Sequence, residues 1–346
     1  MSARNKAVSA YEAHVQEGVL LNANESPANF DEQILTEIKA ALDTTLFHRY
    51  PDDSYRSLKE AYAQVVGVEP DMVLCGNGSD QMLGLLIGCA MAEGKTLATL
   101  APDFGMYDYY VSMYGGTIKK YPIAAGKPLD MDAFVAFAKD ADMVLFSNPN
   151  NPTGNLVSGA DIEKLLQTIR HVPVVIDEAY MEFADESVVG LLDQYPNLFV
   201  TRTLSKAYGA AGIRLGFLLS RAENIQKLGA LNVPYNVSRT TQTIGEILLR
   251  HAATFAKRVE QICRQRERFA ELAPSLRRFT LYPSRANFVL VEGEGLDDLL
   301  AAFKARNIVV REYAGKPYCR ITIGSVAEND QVLEIIRKVD ESDADV

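Results

Sequence analysis

The sequence predicts an α/β fold, a mostly parallel central sheet sandwiched by helices, with a smaller α+β unit at its C-terminal end. Three observations predict it. Between about residues 72 and 220, short apolar runs alternate with helical patterns. Those runs are apolar throughout rather than every second residue, as expected of strands buried on both faces. After Pro234 the pattern changes to a long, charged amphipathic stretch followed by strand-like runs. With 346 residues, 48% of them hydrophobic, the chain can bury one large core and a smaller second one. The expected division is an N-terminal arm over 1–30, a large domain over 31–235 and a small C-terminal domain over 236–346.

In chain order, the first thirty residues have weak periodicity, and Asn24-Glu25-Ser26-Pro27 reads as a turn ending an extended arm. Strands are expected at 72–75, 96–100, 143–147, 172–177, 198–202 and 215–220. Residues 80–91, apolar on most faces, form a helix between the first two, and Ser158 is placed to cap a helix over 161–170. Residues 238–272 read as one long amphipathic helix. Two antiparallel strands, 287–292 and 318–323, then bracket a helix over 296–306.

Composition excludes several functions. The formal charge is -10 with acids and bases interspersed, so no basic stripe offers a track for nucleic acid. The polar start lacks the apolar core of a secretory signal, and no window approaches the roughly 20 apolar residues of a membrane span, so a cytoplasmic enzyme without membrane partners is expected. Cys75, Cys89, Cys263 and Cys319 form no C-x-x-C pair and read as buried thiols. His14, His48, His171 and His251 lack metal-site spacing, and no metal is expected.

Four segments carry chemistry. Gly76-Asn77-Gly78-Ser79-Asp80 follows a strand and opens a helix, so backbone N–H groups and the helix dipole face an anion. The turn is not a G-x-G-x-x-G or Walker loop, because Gln81 stands at the third glycine and no Gly-Lys-Ser/Thr follows. Asn148-Pro149-Asn150-Asn151-Pro152-Thr153-Gly154 makes a stiff loop at the carboxyl edge of the sheet, where the Asn151 amide suits an aromatic oxyanion. The strand before Asp177-Glu178-Ala179-Tyr180 brings a carboxylate and a phenol to the same edge. A buried carboxylate needs a cation, and a protonated pyridine nitrogen would serve; Asp177 is preferred, with Glu178 read as structural. Lys206, in Thr203-Leu204-Ser205-Lys206-Ala207-Tyr208-Gly209, lies between a strand and a glycine-rich loop. A desolvated lysine there becomes nucleophilic toward an aldehyde, while Thr203, Ser205 and Arg214 can donate to a phosphate.

Together with Leu21-Asn22-Ala23-Asn24-Glu25, Arg49-Tyr50-Pro51-Asp52 and Arg320-Ile321-Thr322-Ile323-Gly324, these segments resemble the histidinol-phosphate aminotransferase family of fold-type I pyridoxal-phosphate enzymes, over about residues 21–336. The resemblance implies that Lys206 holds pyridoxal 5'-phosphate, Asp177 pairs with its ring nitrogen, and Asn151 and Tyr180 bond its phenolic oxygen. Gly78, Ser79, Asp80, Thr203, Ser205 and Arg214 would hold the phosphate, and Phe104 would cover the ring, unless it is ordinary core packing. Tyr50 resembles a tyrosine lent across a homodimer interface to the neighbouring phosphate. Arg320 would receive the substrate's anionic end, beside Asn24 and Asn151; Arg311 is a second candidate, or else a rim salt bridge.

The implied reaction moves an amino group from histidinol phosphate or an aromatic amino acid to 2-oxoglutarate by a ping-pong route, with a place in histidine biosynthesis. The alternative is a decarboxylase acting on a phosphorylated amino acid, like threonine-phosphate decarboxylase. The chain departs from the family at Tyr11-Glu12-Ala13-His14, at Gln81, and in the short connection from Arg311 to Arg320.

Overall fold

A computed structural model describes residues 17–184 and 186–342; Tyr11-Glu12-Ala13-His14 and much of the expected arm lie outside them. The chain runs β1 (Val19–Leu21), α1 (Glu32–Asp43), α2 (Arg56–Val66), β2 (Val73–Asn77), α3 (Gly78–Ala90), β3 (Thr96–Ala101), α4 (Met106–Tyr114), β4 (Thr117–Pro122) and α5 (Met131–Ala138). It continues through β5 (Met143–Ser147), α6 (Gly159–Thr168), β6 (Val174–Asp177), β7 (Leu198–Thr203), β8 (Leu215–Leu219), α7 (Ala222–Gly229), α8 (Arg239–Arg250) and α9 (Ala252–Leu272). It ends with β9 (Phe279–Leu281), β10 (Phe288–Gly293), α10 (Leu296–Ala305), β11 (Ile308–Glu312), β12 (Tyr318–Thr322) and α11 (Val326–Glu341).

The alternating apolar runs assemble into a seven-stranded sheet in the order β2-β8-β7-β6-β5-β3-β4. Only β8 runs against its neighbours, pairing antiparallel with both β2 and β7. The carboxyl ends of β2, β3, β5, β6 and β7 therefore share one edge with the start of β8. Successive residues of β5 and β6 point to opposite faces: Val144, Phe146, Val174 and Ile176 join one apolar cluster, Met143, Leu145 and Val175 the other. All seven are fully buried, which explains the unbroken hydrophobic runs. Each such side chain contributes about 1.5–3 kcal/mol through burial.

β4 was not expected. It is an edge strand of sequence Thr-Ile-Lys-Lys-Tyr-Pro with no fully buried residue, so it shows little of the apolar signal that marks the inner strands. The expected cap does form, with Ser158 accepting the Asp161 N–H at the start of α6.

The expected long helix over 238–272 is two helices, α8 and α9, broken at His251, whose Nε2 lies 2.9 Å from Glu37 Oε1 on α1. Hydrophobic periodicity passes over a one-residue break, so the sequence does not reveal it. The C-terminal strands belong to a five-stranded sheet, β1-β11-β12-β10-β9, in which β10 and β12 pair antiparallel. Where an extended arm was expected, Val19–Leu21 pairs parallel with β11, Val19 opposite Ile308. Among the described residues no helix is long and apolar enough to cross a membrane.

Candidate active site

The shared edge of the large sheet holds a cavity of about 110 Å3, far beyond the roughly 10–15 Å3 that admits one water. Ser79, Asp80, Phe104, Asn151, Asp177, Tyr180, Thr203, Ser205, Lys206 and Arg214 all line it, together with Ser147 and Ala179. Ten expected residues thus converge from five loops, each at the end of its own strand.

One end of the cavity is built for an anion. Gly78 has φ +73, a left-handed backbone that favours glycine, and it lies against the tip of the Arg214 side chain. A Cβ on Gly216 would lie 2.1 Å from Ser79 N, which lets β8 pass directly beneath the turn. At the start of α3, Gln81 Oε1 accepts the Asn77 N–H and the Arg214 carbonyl accepts the Gly78 N–H. Of the unpaired N–H groups at this helix start, those of Ser79 and Asp80 remain for a ligand. Arg214 donates to Ser205 Oγ at 3.4 Å and to Asp80 Oδ2 at 3.2 Å, so the Asp80 carboxylate orients the guanidinium. Thr203 Oγ1 donates to Ser205 Oγ at 3.0 Å.

The floor carries Asp177, only 3% exposed. Its two oxygens accept from neutral hydroxyls, Thr201 at 2.8 Å and Tyr107 at 2.9 Å. Burial pushes its pKa up to about 6, against the pull of those two bonds. Neither holding group was singled out from the sequence. Thr201 did leave a signal, as a polar residue inside an apolar strand; Tyr107 lies three residues beyond Phe104, at the start of α4. Phe104 meets the Tyr107 ring edge to face at 5.7 Å and still faces the cavity, so packing and lining are combined in one residue.

Lys206 Nζ donates to the Ala23 carbonyl at 2.7 Å and lies 5.9 Å from the centre of the Tyr180 ring. Burial, then the positive charge of Arg320, lowers its pKa to about 8. A larger share of the amine is therefore neutral and nucleophilic near physiological pH.

Two residues from distant segments bond to the lining. Asn24 Nδ2 donates to the Tyr180 hydroxyl at 2.9 Å, and Asn151 Nδ2 approaches the same oxygen at 3.5 Å. Arg320 donates to Asn151 Oδ1 at 2.5 Å and to the Asn22 carbonyl at 2.6 Å; its Nε is buried with no hydrogen-bond partner among the described residues. Five expected residues do not line the cavity: Gly78 adjoins Ser79, Asn24 and Arg320 bond the lining residues Tyr180 and Asn151, and the other two are Arg311 and Tyr50. Arg311 lies opposite Arg320 in the strand register, 5.8 Å from the Tyr313 ring centre. Tyr50 is 77% exposed and stacks on Tyr235 at 4.7 Å.

Residues 16–336 match the profile of the family described as aminotransferase class I and II. The chain belongs to this family. It is 38% identical to a histidinol-phosphate aminotransferase from Thermococcus gammatolerans, over 93% of this chain and 92% of that one. Its fold is similar to that of histidinol-phosphate aminotransferase from Sinorhizobium meliloti, solved in complex with pyridoxal-5'-phosphate, with a TM-score of 0.85 and 26% identity over 94% and 91% of the two chains. L-threonine-O-3-phosphate decarboxylase from Porphyromonas gingivalis shares the fold, with a TM-score of 0.79 and 20% identity over 92% and 98%. The aminotransferase fold expected from the sequence, of fold type I, is the one observed.

Proposed function

We propose that this aminotransferase moves an amino group from histidinol phosphate to 2-oxoglutarate in two half-reactions, with pyridoxal 5'-phosphate as cofactor. The observation that carries the reading is the meeting, in one cavity, of a desolvated amine and a buried carboxylate that has only neutral partners. The residues fit the cofactor. Lys206 would bind its aldehyde, and Asp177 would pair with its cationic ring nitrogen. Ser79, Asp80, Thr203, Ser205 and Arg214 would take its phosphate, and Phe104 would cover its face. Bound there, the cofactor acts as an electron sink and carries the amino group between the half-reactions.

The chain's own groups then have separate tasks. Asp177 keeps a proton on the ring nitrogen, because a cation beside it relieves the cost of its burial. Lys206 Nζ, freed of the aldehyde, would carry the proton taken from the substrate carbon. Asn151 and Tyr180 would bond the cofactor's phenolic oxygen, with Asn24 holding the Tyr180 hydroxyl and lying beside the substrate. Arg320, whose Nε has no hydrogen-bond partner among the described residues, receives the substrate's anionic end. Asp80 contributes its N–H, and its carboxylate orients Arg214.

Tyr50 serves the partner's site in a homodimer on this reading. The segments holding Leu46, Phe47, Tyr50, Leu231, Val233 and Tyr235 are exposed and joined by the Tyr50–Tyr235 stack, an apolar face suited to a second copy. Mixed Tyr50→Ala and Lys206→Ala subunits, allowed to exchange, should recover part of the activity that each lacks alone. The domain division at 235, and a reducing cytoplasmic setting suited to the four free cysteines, belong to the same proposal.

The deciding experiment offers histidinol phosphate, tyrosine, phenylalanine and threonine phosphate to the holoenzyme. Histidinol phosphate should discharge the visible absorbance of the bound cofactor fastest, and 2-oxoglutarate should restore it. Release of carbon dioxide from threonine phosphate without a keto acid would replace this reading with the decarboxylase.

A further inference from the structure

Asp103 follows β3 at the catalytic edge, between Pro102 and the ring-facing Phe104, and no step above uses it. Its carboxylate accepts three bonds: the Phe104 N–H at 2.7 Å, the Ser147 N–H at 3.2 Å and the Ser147 hydroxyl. Ser147 ends β5 and lines the cavity. With its single hydrogen committed to Asp103, its oxygen is left to accept, and it accepts the Asn151 N–H at 3.0 Å. Asn151 Oδ1 in turn takes Arg320 Nη1 at 2.5 Å. Three links thus run from a carboxylate on the large sheet to the guanidinium on β12 of the small one. A further bond, from Asn150 Nδ2 to the Pro102 carbonyl at 3.2 Å, ties the same two loops.

We infer that Asp103 is a positioning residue for the substrate-anion site, holding Asn151, and through it Arg320, in place by way of Ser147. The inference rests on the aminotransferase reading and deepens it. Chemistry supports the choice of an acid. Burial pushes the Asp103 carboxyl up to about 8, with Asp177 adding repulsion, so an acid here is costly and a neutral amide would be cheaper. An amide would keep the two bonds at Oδ1 but would turn its NH2 toward the Ser147 N–H, donor against donor. A side chain with two acceptor oxygens satisfies all three donors at once.

The test uses holoenzyme and maleate, an unreactive dicarboxylate whose binding is read from the spectrum of the bound cofactor. Asp103→Ala and Ser147→Ala should each weaken maleate about tenfold, the size of one lost hydrogen bond in a buried network. The double variant should be no weaker than the worse single variant, because both changes cut the same chain. The KM for 2-oxoglutarate should rise in step, with the turnover number changed much less. Thermal midpoints identify variants that remain folded; Ser147→Ala, which leaves the Asp103 bond to Phe104 intact, decides the matter should Asp103→Ala not fold. Wild-type maleate affinity in a folded variant, or losses that add to about a hundredfold, overturns the role of Asp103 alone. A wild-type chain that takes up neither pyridoxal phosphate nor maleate removes this inference and the aminotransferase reading together.

Discussion

The two halves of the cavity are assembled differently. Asp177, Thr203, Ser205 and Lys206 stand at or just beyond the ends of two adjacent strands, β6 and β7, and Ser79 and Arg214 flank the neighbouring pair β2 and β8. Asn24, Asn151, Tyr180 and Arg320 meet from both sheets, with contacts spanning up to 298 residues. The first half is rigid because a fully buried sheet holds it. The second depends on how the β1 strand and β12 close against the large sheet. The cofactor half should therefore respond to mutation through affinity for the cofactor, and the substrate half through KM.

The largest break comes from Lys206→Ala. Turnover should fall roughly 10^6-fold, as when a nucleophile is removed, and the visible absorbance should vanish while the thermal midpoint of the apoprotein holds. A retained visible band defeats the assignment.

Asp177→Asn is the next largest. Removing one partner of a buried ion pair costs about 3–5 kcal/mol, so pyridoxal phosphate should dissociate roughly 10^2 to 10^4 times more readily. The apoprotein should move the other way. Its Asp177 pKa is raised from 3.8 to about 6, so the folded state binds more protons than the unfolded state between those values and loses stability as pH rises through them. The variant escapes that loss. Its apo thermal midpoint should exceed that of the wild type at pH 8 and match it near pH 4, and equal midpoints at pH 8 would contradict the argument.

Arg320→Ala tests the other half. It leaves Asn151 Oδ1 and the Asn22 carbonyl without their donor, so KM for 2-oxoglutarate should rise roughly 10 to 100-fold, within the range for truncating a buried charged contact. Cofactor affinity should change little. Comparable losses of both would mean that the halves are one unit.

The smallest effect sharpens the link between them. Uptake of pyridoxal phosphate by the apoprotein needs the neutral Lys206 amine, so its rate should rise with pH to a midpoint near 8 and fall about tenfold per unit below it. Arg320 is the second cause of that lowered value, after burial. In Arg320→Ala the midpoint should move to higher pH, measured by stopped-flow absorbance; an unmoved midpoint would separate the two groups electrostatically.

The same contrast explains what could be read in advance. Inner strands such as β5 and β6 carry unbroken apolar runs because both faces are buried, and their following loops bear the chemistry, so both were visible. β4, at the sheet's edge, and the three-residue β1 have too little buried surface to leave a pattern. Ser147 and Asp103 escaped notice because their role is to bind each other, and neither residue type is diagnostic alone.

By itself the sequence determined the family, the large sheet and ten of the residues that line the cavity, because each motif is local: a strand and the loop that follows it. Only the tertiary structure decided that Tyr107 and Thr201 hold Asp177, that the Ala23 carbonyl meets Lys206, and that Asn151 stands between Tyr180 and Arg320. Those contacts join segments whose separation along the chain has no period, and hydrogen-bond geometry exists only once both sheets have packed.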